Sequence, residues 1–74
     1  MSSFGVVLLH TTSAAMRSEK ILVQAGLSVK LVPTPRQFSS DCGIAVRFNW
    51  AQAELVKTLL DASHVDVSSI QRLQ

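Results

Sequence analysis

The sequence has one cysteine, Cys42, no tyrosine, one tryptophan, two prolines and three glycines in 74 residues. A single thiol closes no intrachain disulfide, so the fold has to rest on its apolar core, and a reducing compartment is expected. Charge is scarce as well. Only 16% of the residues are Asp, Glu, Lys or Arg, and seven bases against five acids leave a formal charge of +2. The bases at 17, 20, 30, 36, 47, 57 and 72 are dispersed, with few aromatic side chains among them. That is neither the basic stripe nor the stacking platform of a nucleic-acid binder. No apolar run approaches the ~18 residues that a membrane-spanning helix needs. The longest, Gly5 to Leu9, has the length of a strand, and His10 interrupts it. With no basic residue ahead of it, this stretch does not read as a secretion signal. The expectation is a soluble, cytoplasmic protein with neither a membrane nor a nucleic-acid partner.

What is present is apolar: 47% of the chain, too much for a disordered segment. A chain this short holds one small domain, expected to span residues 1–74 with its core at about 4–68 and a C-terminal tail, 69–74, that frays. Phe4 to His10 is aliphatic and β-branched without helical gaps, which suits a central strand covered on both faces. Thr11, Thr12 and Ser13 then offer N-cap hydroxyls to a helix running to about Ala25, with Ala14, Ile21, Leu22 and Ala25 on its inward side and Gly26 as its stop. In Leu27 to Val32, Leu27, Val29 and Leu31 alternate with Ser28 and Lys30, the period of a half-buried strand that Pro33 ends. After a loop from Pro33 to Gly43, Ile44 to Phe48 places Ile44, Val46 and Phe48 on one face and Ala45 and Arg47 on the other. Asn49 with Gln52 resembles a capping box, opening a helix to about Ala62 with the stripe Leu55, Val56, Leu59 and Leu60. Trp50 reads as a packing anchor. Val65 and Val67 alternate with Asp66 and Ser68 in a short last strand.

The order strand, helix, strand, strand, helix, strand is that of the ferredoxin-like split β-α-β fold, an α+β sandwich with a four-stranded antiparallel sheet and two helices on one face. With strands one and three as the central pair, the connection rules bring His10, Thr12 and Ser13, the Pro33–Gly43 loop and His64 to the same end of the sheet. The uncovered face is expected to show Val7, Leu9 and Ala45 and to pair with a second copy of the chain.

The loop is where chemistry is expected, because it is longer than a hairpin connection needs and long loops in compact domains tend to carry function. Cys42 has two readings: a small buried hydrophobe, as free cysteines commonly are, or a reactive thiol in a polar loop with Ser39, Ser40 and Asp41 before it and Gly43 after it, where backbone can come close to a ligand. The first helix start and Arg36 favour a thiolate there, and Asp41 opposes it. Arg36, its backbone restricted by Pro33 and Pro35, either presents its fork to an anion or pairs with Asp41. His10 and His64 together with Cys42 have no diagnostic metal-ligand spacing, so no metal site is assigned. No third residue or oxyanion hole is specified for a Cys-His hydrolase. Helix capping accounts for Thr11, Thr12 and Ser13.

The segment Val32-Pro33-Thr34-Pro35-Arg36, followed by Ser39-Ser40-Asp41-Cys42-Gly43-Ile44-Ala45, resembles the signature of a family of small bacterial selenium/sulfur carrier protein-like chains. The Glu19-Lys20-Ile21-Leu22 stretch is similar as well, and the resemblance covers roughly Phe4 to Val67. It implies that Cys42 holds sulfur or selenium as a persulfide or selenopersulfide, in a pocket formed by the Pro33–Gly43 loop with Thr34, Pro35, Arg36, Ser39, Ser40 and Gly43 in support. A carrier of this kind takes sulfane sulfur from a donor such as a cysteine desulfurase and passes it to an acceptor. It needs no cofactor, no resolving cysteine and no complete active site of its own. Sulfur-relay carriers of another kind have proline after the reactive cysteine, where this chain has Gly43. The alternative function is a ferredoxin-like interaction or regulatory module acting through its sheet face, for which Cys42 is dispensable.

Overall fold

A computed structural model describes residues 3–38 and 42–73. The elements are β1 (Phe4–Leu9), α1 (Thr12–Gln24), β2 (Lys30–Pro33), β3 (Ile44–Asn49), a 3-10 turn (Trp50–Gln52), α2 (Ala53–Ala62) and β4 (Val67–Arg72). The strands form one sheet in the order β2-β3-β1-β4, and every neighbouring pair is antiparallel. This is the ferredoxin-like α+β sandwich expected from the element order.

Register decides which residues share a face, because residues directly opposite in an antiparallel pair point the same way. Val7 lies opposite Val46 and Leu8 opposite Ala45. One face therefore presents Val7, Leu9, Val46 and Phe48, and these join Ala15 and Leu22 of α1 with Val56 and Leu60 of α2 in the main core. The other presents Val6, Leu8 and Ala45, and no helix residue packs there. The expectation that Val7 and Leu9 look out with Ala45 is thus corrected: both lie under the helices, and Val6 and Leu8 take their places. A strand apolar on both faces carries no alternation from which the side could be read. Nor is the outer face bare. Phe38 from the β2–β3 loop and Leu73 after β4 pack on it, leaving Val6 and Ala45 fully buried.

Both helices end in the same way. Gly26, at φ 88°, follows α1 while Gly26 N–H donates to Val23 O and Leu27 N–H to Leu22 O. His64, at φ 57°, follows α2 while His64 N–H donates to Asp61 O and Val65 N–H to Leu60 O. These are Schellman ends, and only the first uses the glycine that the left-handed position favours. Arg17 Nη2 donates to Ser63 O at 2.8 Å, tying α1 to the end of α2.

Several boundaries differ from the sequence-based expectation. Residues 69–72 are not a fraying tail but the body of β4, paired with β1 from Leu9–Val67 to Gly5–Arg72 through a register shift between Leu8 and Leu9. That shift lets Val67 and Ile70 both reach the core, and it breaks the alternation that would have marked the strand. The second strand starts at Lys30 and not at Leu27, because Leu27 N–H is engaged in the α1 ending. Asn49 accepts from Ala51 N–H at 3.0 Å and so caps the 3-10 turn, with α2 beginning only at Ala53. On α1 the buried residues are Ala15, Ser18 and Leu22, with Ala25 exposed; on α2, Leu55 is exposed. Ser18 satisfies its buried hydroxyl by donating to Ala14 O at 2.7 Å.

Candidate functional site

The register places Pro33 opposite Ile44, Leu8 opposite Ala45 and Leu9 opposite Val67. The ends of β1 and β2 and the starts of β3 and β4 therefore share one edge of the domain, as the connection rules required. Thr11 opens α1 at this edge by accepting from Ala14 N–H at 3.1 Å, which makes Thr12 the first helical residue.

Cys42 lies two residues ahead of β3, on the parity of Ile44, Val46 and Phe48. Its side chain accordingly continues the inward face of that strand and joins the main core, at 3% exposure. Its Sγ is 3.8 Å from Thr12 Oγ1, and either atom could donate the hydrogen. The thiol is thus seated against the first turn of α1, the end of a helix whose unpaired N–H groups attract negative charge. It is there as a buried group and not as the loop-mouth thiol that its polar neighbours suggested. The period-two match with β3 was the signal in the sequence, outweighed there by the run of hydroxyl residues before it.

Thr34 closes the neck of the loop. Its Oγ1 donates to Cys42 O at 2.8 Å and its N–H to Gly43 O at 3.0 Å, extending the β2–β3 ladder beyond Pro33. Pro35 O accepts from Phe38 N–H at 3.0 Å, forming a turn in which Arg36 is exposed. Among the described residues no hydrogen bond or ion pair joins Arg36 to Cys42. Gly43 is exposed, and among the described residues a Cβ added there meets no atom within 4 Å other than those of its chain neighbours. Ser39 and Ser40, expected in the pocket, and Asp41, expected to oppose a thiolate, lie outside the described residues. Among the described residues, no three His, Cys, Asp or Glu side chains come together as a metal site. His10 and His64 are both exposed. A groove between α2 and β4, lined by Trp50, Glu54, Lys57, Asp61 and Ile70 among others, does not include Cys42.

A family model described as "Putative Se/S carrier protein-like" matches residues 4–72. The chain belongs to this family. No curated protein and no solved structure matches it. In this Se/S carrier-like chain the matched region takes in every strand and both helices, including the Cys42 edge. No helix among the described residues is long and apolar enough to cross a membrane. Sequence reasoning passed over Phe38, which leaves the loop to pack on the outer sheet face. An aromatic among hydroxyl residues was its only mark in the sequence.

Proposed function

We propose that this protein is a sulfur or selenium carrier that holds the atom on Cys42 as a persulfide or selenopersulfide. In the loading step the Cys42 thiolate attacks the outer sulfur of a donor persulfide. The bond from Sγ to that sulfur forms, the donor's S–S bond breaks, and the donor's inner sulfur departs as a thiolate. No oxidant or reductant is consumed. Attack by an acceptor nucleophile on the outer atom discharges the carrier in the same way, so one cysteine suffices. The donor is a persulfide-bearing protein of the cysteine desulfurase kind, and the reaction belongs to the cytoplasm of a bacterial cell. Within this reading Arg36 meets the donor at the exposed turn, and Thr34, Pro35, Ser39, Ser40 and Gly43 shape the pocket.

The observation that carries the reading is the seating of the chain's one thiol against the first turn of α1 in a chain of the Se/S carrier-like family. Cyanolysis tests it. After incubation with a cysteine desulfurase and cysteine, the desalted protein should release about one thiocyanate per chain, and Cys42→Ser should release none. With selenocysteine as the source, selenium should be retained on Cys42 in the same way. A wild-type yield no greater than that of Cys42→Ser refutes the reading.

A further inference from the structure

β4 is the last strand of the sheet, and among the described residues no strand pairs with its outer edge. One bond tells which of its backbone groups face that edge. Leu73 N–H donates to Phe4 O at 2.7 Å, next in register to the pair of Gly5 and Arg72. In an antiparallel ladder hydrogen-bonded pairs alternate with non-bonded ones, so Gln71 and Ser69 also bond to β1, while Ile70 and Arg72 turn N–H and C=O to the open side. The opposite edge is blunted and this one is not. β2 has four residues and carries Lys30 and Pro33, residue types that native proteins use to keep an edge from pairing. β4 has six residues with neither lysine nor proline, and its register shift, at Leu8 and Leu9, precedes the stretch from Ser69 to Arg72. The outer face of the sheet offers less, because Phe38 and Leu73 already lie on it. Beside the β4 edge, by contrast, the groove against α2 is lined by Val67, Ile70 and Trp50.

Charge selects the occupant. Asp61 at the groove and Asp66 just ahead of the strand give β4 an acidic first end, and Arg72 gives it a basic last one. All three are exposed, and among the described residues none forms an ion pair. Arg72 meets the Ser3 hydroxyl at 3.3 Å and the Trp50 ring, both uncharged. A strand laid antiparallel on β4 must therefore begin acidic and end basic, which describes β4 itself. We propose that two copies of this chain pair through β4, antiparallel about a two-fold axis at Ile70, into one eight-stranded sheet. Ile70, the outward-turned residue nearest the middle of the strand, then bonds its own counterpart, and each Arg72 comes to the acidic end of the other copy. The proposal stands apart from the carrier reading and is compatible with it: the axis turns the two Cys42 edges in opposite directions, so neither blocks the other.

Sedimentation equilibrium of the full chain at low ionic strength tests this, and the mass should rise with concentration from 8.0 kDa to twice that value. Arg72→Glu should raise the dissociation constant of the dimer about tenfold, and the double variant Asp61→Lys, Asp66→Lys should do the same. An equimolar mixture of the two should recover wild-type association, since one chain is then acidic at both ends of β4 and the other basic at both. Amide hydrogen exchange locates the contact. The Ile70 and Arg72 amides should exchange quickly in dilute protein and become protected as the dimer forms, with those of Lys30 to Val32 unaffected. A chain that stays monomeric at about 1 mM overturns the proposal. So does a dimer in which the Ile70 and Arg72 amides gain no protection, or one whose dissociation constant Arg72→Glu leaves unchanged. If the variants fail to fold, the exchange of the wild-type amides decides alone.

Discussion

Thr12 Oγ1 lies 3.8 Å from Cys42 Sγ across a sequence separation of thirty residues, so the start of the first helix and the last loop residues before β3 meet at the chain's one thiol. The contact follows from topology: β1 and β3 are antiparallel neighbours, and the residue that follows one strand must therefore face the residue that precedes the other. Replacing Thr12 by valine keeps the shape and removes the hydroxyl. A hydrogen bond of this class contributes about 0.5–1.5 kcal/mol, so Thr12→Val is expected to slow persulfide loading by roughly threefold to tenfold. A fall in loading of that size, at a temperature where the variant is still fully folded, supports a role for the hydroxyl at the sulfur. An unaltered loading rate assigns Thr12 to helix geometry alone.

Two glycines offer a contrast. At Gly5 an added Cβ falls 2.5 Å from Trp50 Cε3 and 2.8 Å from Phe48 Cζ, inside two stacked rings whose centroids are 6.0 Å apart. Gly5→Ala forces those rings apart and should cost about 1–3 kcal/mol, read as a lower midpoint in urea unfolding. At Gly43 the same Cβ meets no atom of the described residues beyond its chain neighbours, so Gly43→Ala should leave stability unchanged or raise it by about 0.4–1 kcal/mol through the unfolded chain. A midpoint below wild type means that the chain does not tolerate a side chain at this position.

His64 occupies the left-handed position at the end of α2 where α1 has Gly26. A non-glycine residue there costs roughly 1–2 kcal/mol, and glycine brings an entropic penalty of about 0.5–1 kcal/mol to the folded chain. His64→Gly is therefore expected to raise stability by about 0.5–1 kcal/mol in thermal or denaturant unfolding, with both hydrogen bonds of the helix ending retained. A loss of stability means that the imidazole holds a neighbour in place, outweighing the backbone strain.

The architecture was legible in the sequence because helix and strand periods and the stop signals at Gly26 and Pro33 agreed with one another. The β-α-β-β-α-β order then fixed which loops share an edge, and so placed Thr12 beside the Cys42 loop on connection rules alone. Three features stayed hidden for physical reasons. The facing of β1 could not be read, since Val6, Val7, Leu8 and Leu9 are all buried and only pairing with Val46 and Ala45 assigns them. The extent of β4 was masked by the register shift that interrupts its alternation. The burial of Cys42 was written in its parity with Ile44, Val46 and Phe48, but the local composition of the loop pointed outward, and position in the ladder prevailed. Phe38 shows the same conflict resolved in the same direction: a loop residue by sequence, it belongs to the sheet by packing.

The burial of Cys42 also changes what its replacement does. Cys42→Ser exchanges a core thiol for a hydroxyl, and although Thr12 Oγ1 remains beside it as a partner, a loss of about 1–2 kcal/mol is expected. The variant should still fold, with a lower midpoint and unchanged far-ultraviolet circular dichroism. A midpoint equal to wild type contradicts the burial, and complete unfolding makes Cys42 a residue on which the core depends.

The most direct measurement of the central claim is the intact mass of the native protein after incubation with a cysteine desulfurase and cysteine, taken before and after treatment with a reductant. The account predicts a gain of one sulfur atom on Cys42 that the reductant removes, and no gain in Cys42→Ser. A wild-type mass that stays unchanged, while the same thiol is freely alkylated once the chain is unfolded, contradicts it and makes Cys42 a packed core residue.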